Sequence, residues 1–283
     1  MNTATLLISC PDQKGIVAKI TNFIYQNNGN IQHADQHIDS LTNTFFMRIE
    51  WALENFNILK ENIGESFSSL AESFNMDWTL YFSQEIPRIA IFTSCVTHCL
   101  YDLLLKHQQG QLQCHLPLII SNYPQADKIA RSFNIQFFQF PKTPANKQAQ
   151  EEKEISLLKE EKIDLIVLAR YTQIFTSQFV NEFPNRIINI HHSFLPAFAG
   201  RNPYQQACAR GVKIIGATSH YVTPELDAGP IISQDVIEVS HRDSLEDLKR
   251  KGEDLERAVL NRAVRWHLER KTLVYNNKTV VFD

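Results

Sequence analysis

Apolar positions along the first eighty residues follow two periods in turn. Thr5-Leu6-Leu7-Ile8-Ser9 is a short apolar strand, followed by the turn-rich stretch Cys10-Pro11-Asp12-Gln13-Lys14-Gly15. From Ile16 to Asn27 the apolar residues Ile16, Val17, Ile20, Phe23 and Ile24 recur at helical spacing. Asn28-Gly29-Asn30 then ends that helix with residues that tolerate a left-handed backbone. Ile31 to Asp39 and Thr44 to Ala52 read as two strands, and in the second Phe45, Met47, Ile49 and Trp51 alternate onto one face. A second helix over about Phe56 to Phe74 and a strand from Asp77 to Phe82 complete a β-α-β-β-α-β order. That order predicts an antiparallel, ferredoxin-like sheet covered on one face by two helices.

After Ser83 to Pro87 the pattern changes. Short continuous apolar runs, Ile89 to Thr93, Leu116 to Ser121, Ile135 to Phe140, Leu165 to Ala169 and Ile187 to Ile190, alternate with helical stretches. Runs of that kind fit strands buried on both faces and joined by right-handed crossovers, so residues 85–283 are expected to form a Rossmann-like α/β domain with a mainly parallel sheet, behind a small domain of residues 1–84. The Lys/Glu-rich stretch Gln148 to Lys162 reads as a helix with a solvated charged face, with Ile155, Leu157 and Leu158 turned inward.

Composition narrows the classes. A chain of 283 residues with a net charge of −3 has no broad basic surface, which argues against nucleic acid as its main partner. No apolar run approaches the roughly 20 residues needed to cross a bilayer. The start lacks a charged region followed by a long apolar stretch, so the expected compartment is the cytoplasm. The five cysteines, Cys10, Cys95, Cys99, Cys114 and Cys208, are scattered without a metal-type spacing and are expected to be reduced thiols with no metal.

Candidate chemistry concentrates in two stretches. In Arg186-Ile-Ile-Asn189-Ile-His191-His192-Ser-Phe-Leu195-Pro196, Asn189 and His191 sit two apart at the carboxyl end of an apolar strand. Both side chains therefore point the same way, into the crevice where open α/β sheets bind ligands. An amide and an imidazole there can polarise a carbonyl and handle a proton; spacing alone fits a self-satisfied strand end equally well. In Gly216-Ala-Thr-Ser-His220-Tyr-Val222-Thr-Pro-Glu225-Leu-Asp227-Ala-Gly229-Pro230, a loop presents two carboxylates after a strand. Asp227, beside glycine and proline, is a candidate acid or base, or a turn aspartate that binds its own backbone.

Asn-x-His followed by Ser-x-Leu-Pro, and then a distant Leu-Asp-x-Gly-Pro, resembles the signature of the folate-dependent formyltransferases and formyl hydrolases. The likeness extends over essentially the whole chain, because hydrolases of this family begin with an ACT domain of the βαββαβ type. The stretch His191 to Phe198 and the tail with Val239-Ser-His-Arg-Asp-Ser and Arg265-Trp266-His267-Leu268 are similar to the hydrolases. The resemblance implies removal of the formyl group of 10-formyltetrahydrofolate by water, an activity that balances one-carbon pools for purine synthesis. It further implies a catalytic trio of Asn189, His191 and Asp227, and a cis peptide at Leu195-Pro196. Leu168, Arg170, Tyr171 and Gln173 resemble the loop that cradles the pterin. His220 and Val222 stand beside the site, His220 reading first as a core-packed histidine and otherwise as a support for the site, and Leu103 to Leu105 read as apolar folate contacts or equally as a buried helix face. Folate is then the substrate, and no separate cofactor is implied.

Acceptor choice rests on the loop after the first α/β strand. Phosphoribosyl-amine transferases carry a glycine-rich phosphate loop there, whereas this chain has Phe92-Thr-Ser-Cys95-Val96-Thr-His98-Cys99-Leu100, with no glycine. Cys95, and Asn202 before Pro203, depart from the residues common in the hydrolases. The ACT likeness implies homo-oligomers and amino-acid effectors, methionine and glycine. Asp12, Lys14 and Gly15, at a helix N-terminus whose free N–H groups suit a carboxylate, with Asn30 and Ile31 completing the pocket, are the candidates to bind them; the other reading is a loop that merely turns the chain in a domain that only mediates assembly. Two other readings stay open: formyl transfer to a small amine, and a non-catalytic amino-acid sensor.

Overall fold

A computed structural model of the chain describes residues 2–197 and 203–283; Asn202 lies outside the described residues. Two compact units emerge. The first comprises residues 1–86 with Arg270–Leu273 and Val280–Asp283, and the second Pro87–Glu269 with Val274–Thr279. The chain's final strands are thus shared between the units rather than belonging wholly to the second.

In the first unit β1 (Thr3–Pro11), α1 (Ile16–Gln26), β2 (Asn30–Asp39), β3 (Thr44–Ala52), α2 (Ile63–Ser73) and β4 (Asp77–Phe82) follow in order. The sheet runs β2-β3-β1-β4, antiparallel throughout. Phe45, Met47, Ile49 and Trp51 all lie in the core with Ile20, Ile24 and Phe67, as their alternation predicts. The second helix is shorter than its apolar pattern predicts. Asn55 takes a left-handed φ of 61° and Phe56 packs its ring on Trp51, 5.9 Å between centroids, so the chain turns before the helix can start. The other face of β3 is not solvated either. Arg48 is buried, its guanidinium donating to Glu50 at 2.8 Å and to the Arg270 carbonyl at 3.1 Å.

The second unit continues through β5 (Arg88–Thr93), α3 (His98–Gln108), β6 (His115–Ser121), α4 (Gln125–Ser132), β7 (Gln136–Gln139), α5 (Lys147–Glu160), β8 (Leu165–Ala169), α6 (Ser177–Glu182), β9 (Ile187–His191), α7 (Pro203–Arg210), β10 (Ile214–Tyr221), β11 (Ile231–Glu238) and α8 (Leu245–Leu268). A final hairpin, β12 (Thr272–Tyr275) and β13 (Lys278–Val281), follows. The seven-stranded sheet has the order β11-β10-β9-β8-β5-β6-β7. Strands β9, β8, β5, β6 and β7 are parallel neighbours, while β10 pairs antiparallel with both β9 and β11. The order reverses between β5 and β8, and such switch points open a ligand crevice at the strand carboxyl ends. Helix α8 starts with a full capping box, Ser244 to the Asp247 N–H and Asp247 back to the Ser244 N–H.

Helix α5 corrects the expected solvated face. Leu158 is buried as predicted, but so are Glu151 and Glu154, at 2% and 0% exposure. Their partner is a lysine distant enough in sequence to escape a periodicity argument. Leu103 and Leu104 are also core residues, which leaves only Leu105 exposed among the three leucines read as folate contacts.

Candidate active site

Strands β9 and β10 assemble the centre. Asn189 and His191 share a face of β9, and the antiparallel register sets His220 opposite Asn189 and Thr218 opposite His191. His220 Nδ1 lies 2.9 Å from the Tyr221 carbonyl, which can only accept, so Nδ1 carries the proton and Nε2 the lone pair. Asn189 Nδ2 donates to that Nε2 at 3.2 Å. This bond fixes which way the amide faces. One of its two N–H groups is used, and the second is left for a ligand. Burial pushes the His220 pKa below its ordinary 6.5, against the pull of the Tyr221 carbonyl, and keeps the ring a neutral acceptor.

Asp227 arrives on the loop after β10. Tyr221 N–H donates to the Pro230 carbonyl at 2.9 Å, folding this loop back on its own strand. Gly229 passes so close that a Cβ would overlap the Tyr221 carbonyl oxygen, so no other residue fits there. Asn277 donates to the Ala228 carbonyl at 2.8 Å and holds the loop from the final hairpin turn. Asp227 itself sits at φ 56°, uncommon for a residue with a side chain, and such strain collects at functional positions. Its Oδ1 is 3.3 Å from His191 Nδ1 and 3.8 Å from His220 Nε2. The His191 hydrogen bond outweighs burial and holds the carboxyl below its ordinary 3.8. His191 Nε2 is buried and has no hydrogen-bond partner among the described residues, so this nitrogen is the ring atom free to meet a substrate.

The turn beyond β9 is pinned by one hydroxyl. Thr218 Oγ1 donates to the Ser193 carbonyl at 2.8 Å and accepts from Leu195 N–H at 3.0 Å and from Gln234 at 2.9 Å. Leu195-Pro196 is cis, as the resemblance implies.

The residues read as the pterin loop divide. Leu168, paired with Asn189 across β8 and β9, is buried, and Val222 is half-buried against the same core. Tyr171 turns inward into an aromatic stack with Phe92 and Phe175 rather than toward a ligand. Arg170 also turns inward, to Glu256 at 3.4 Å. Gln173 is half-buried, the 58%-exposed Ile174 faces outward, and Ser94 ties the loop to β5 by accepting from Thr172 N–H at 3.1 Å.

Glu256 is the group that the sequence reading missed. It is 1% exposed on α8, bound to His98 Nε2 at 2.8 Å and to the Tyr204 hydroxyl at 2.6 Å. Burial alone would raise its pKa; the His98 hydrogen bond, the Arg170 charge and the Tyr204 hydroxyl outweigh it and hold the group ionised. The signal was available, since Glu256 stands within the apolar stripe of Leu248, Leu255, Val259 and Leu260. His98, in the glycine-free stretch after β5, spends its ring on this carboxylate. His98, Cys99 and Glu256 form the one grouping among the described residues with metal-ligand types in reach. Burial pushes the Cys99 thiol far up, and both Glu256 oxygens are already bound, so the donors do not suit a cation. Asp12, Lys14 and Gly15 lie at one end of the first unit's sheet. Asn30, which pairs with Ala52, and Ile31 lie at the other, so one chain does not bring these five into a single pocket.

Comparison with known proteins places the chain in a family. A formyl transferase family model matches residues 87–264, and an ACT domain model matches residues 4–50. The chain is 58% identical over 280 residues to a formyltetrahydrofolate deformylase of Synechocystis sp., covering 99% of this chain and 98% of the relative. It is 47% identical to the Bacillus subtilis protein of that name, covering 98% of this chain and 93% of the relative. A crystal structure of a formyltetrahydrofolate deformylase from Pseudomonas syringae pv. tomato superposes with a TM-score of 0.98 at 45% identity, covering 100% of this chain and 95% of the other. The chain belongs to the formyltetrahydrofolate deformylase family.

Proposed function

We propose that the chain hydrolyses 10-formyltetrahydrofolate to tetrahydrofolate and formate at Asn189, His191 and Asp227. The carrying observation is their convergence, two from β9 and one from the loop after β10: an oriented amide N–H, an imidazole nitrogen without a partner among the described residues, and an ionised carboxylate. Asp227 orients a water and takes its proton as the oxygen attacks the formyl carbon. The carbonyl oxygen becomes an oxyanion, to which the second Asn189 N–H donates. Asp227 passes the water proton to His191 Nδ1 as His191 Nε2 delivers one to N10; the amine leaves, and the formic acid, which carries the water oxygen, gives up its remaining proton to depart as formate. Water, the folate and these three side chains suffice; no further cofactor enters. The loop after β5 supports water as acceptor, because Ser94 and His98 there are committed to Thr172 and Glu256 rather than lining a phosphate cradle. The test is incubation with 10-formyltetrahydrofolate alone. Formate should appear in step with tetrahydrofolate; a strict requirement for an added amine would make the chain a transferase instead.

The ACT-type unit is proposed as the regulatory and assembly part. Its edge strand β2 is exposed along most of its length, an open template for pairing with a second copy. The α1 N-terminus has no acidic residue in its first turn, so its free N–H groups and Lys14 suit an amino-acid carboxylate, with Asp12 placed for the ammonium. Gly15 has φ 96°, so a side chain there would strain the backbone although the space beside it is open; Lys14→Ala is the cleaner probe. Titrated with methionine and with glycine, Lys14→Ala should need about tenfold more effector for half-maximal response, as loss of one charge-assisted contact typically costs. Identical effector curves for wild type and variant would place control elsewhere.

A further inference from the structure

The loop between β8 and α6 is held from beneath by charges that the proposed chemistry does not use. Lys142, between β7 and α5, has a side chain only 1% exposed, and its Nζ lies 2.7 Å from Glu154 Oε2 and 3.8 Å from Glu151 Oε1. The same ammonium lies 4.7 Å from the ring centre of Phe175 and 5.4 Å from that of Tyr171, within reach of both ring faces. Glu151 accepts from Thr176 N–H at 3.1 Å and from its hydroxyl at 2.5 Å. Ser94 holds the loop's other end at Thr172.

An ammonium and two carboxylates at this depth are costly to desolvate, and apolar residues of similar volume would pack as well. Among the described residues, the cluster's hydrogen bonds and ring contacts beyond its own members all end on this one loop. The result is a fixed alternation. Tyr171 and Phe175 are drawn inward over the cation, while Thr172 and Ile174 are left outward. Between the two tethers, the backbone N–H groups of Gln173 and Ile174 have no partner among the described residues, and they stand at the crevice end of the sheet.

We infer that the Lys142–Glu151–Glu154 cluster positions the 170–176 loop so that its free backbone groups meet the pterin ring, which makes Lys142 and Glu151 positioning residues for folate. This rests on the reading above that the folate is the substrate and lies against this loop. Lys142 supplies the cation beneath the rings, and Glu151 fixes the start of α6 through Thr176. Burial pushes Glu154 up to about 7, so it is the member whose charge is most readily given up.

The experiment measures KM and kcat for 10-formyltetrahydrofolate and, independently of turnover, the Kd for tetrahydrofolate by calorimetry. Lys142→Met should raise KM and Kd together by about tenfold or more and leave kcat within about threefold, the pattern of lost binding rather than lost chemistry. Glu154→Gln keeps an oxygen on Lys142 and should raise both far less. Thr176→Val breaks the hydroxyl tether from the half-exposed side and should raise both severalfold, even where Lys142→Met fails to fold. A fall in kcat at unchanged KM and Kd, or unchanged values in Thr176→Val, would overturn the inference. Wild-type protein that binds tetrahydrofolate without releasing formate would count against the hydrolase reading alone, since the Kd comparison still stands.

Discussion

Asp227→Asn should slow formate release by about three orders of magnitude or more, at a KM changed only a few-fold, because loss of a positioned general base typically costs 10²–10⁴. The substitution keeps the shape of the side chain and removes the charge. It is also compatible with the backbone, since asparagine enters the left-handed region about as readily as aspartate and the residue sits at φ 56°. An alanine would confound loss of the base with strain in a loop already folded tightly around Gly229. His191 holds the carboxyl below its ordinary 3.8, so it remains ionised into acid solution, and the wild-type rate should not fall at mildly acid pH on its account. Stopped-flow or coupled measurement of formate over a pH series, with folate binding measured separately, provides the check. Near-wild-type turnover would remove Asp227 from the mechanism.

Asn189→Ala should lose two to three decades in kcat, as one oxyanion donor is typically worth about 3 kcal/mol. Binding should change little, since the donor gains most of its value as charge develops on the formyl oxygen. A partner effect follows from the tautomer of His220. The ring can accept from Asn189 only while Nε2 is unprotonated, and burial keeps it so by depressing its pKa below 6.5. The sign is therefore fixed: as pH falls through the depressed value, Nε2 gains a proton, the amide loses its acceptor, and the rate drops. His220→Gln offers an acceptor that does not titrate. It should push this acid limb to lower pH while costing less than Asn189→Ala. An acid limb in the same place in His220→Gln, with Asn189→Ala near wild type, would show that the amide is not the donor.

Buried groups also explain where sequence reasoning stopped. Periodicity is a statement about one element and the medium on either side of it. It was sufficient for β3, whose inward residues needed only an apolar neighbour, and for β8 and β9, where continuous apolar runs leave a fully buried strand as the simplest outcome. It misread α5, because Glu151 and Glu154 look solvated until Lys142 is known to lie under them. It likewise left Arg48 on a face it took to be open, since the Arg270 carbonyl that binds this side chain comes from 222 residues away.

The site divides along the same line. Asn189 and His191 were legible because alternation along one strand fixes their common face, and Asp227 because its loop wording resembles a known signature. No local rule carries the rest. The orientation of the Asn189 amide depends on His220 from the neighbouring strand, and the reach of Asp227 to His191 depends on the close passage of Gly229 past Tyr221. The inward turn of Tyr171 and Arg170 depends on a cation brought from the connection before α5 and a carboxylate from α8. Element type and strand face were determined by the sequence itself, because they depend on spacing and on backbone preferences a few residues long. The hydrogen-bond partners of each polar group were decided only by the tertiary structure, because a buried donor or acceptor must be satisfied by whatever the fold brings to it.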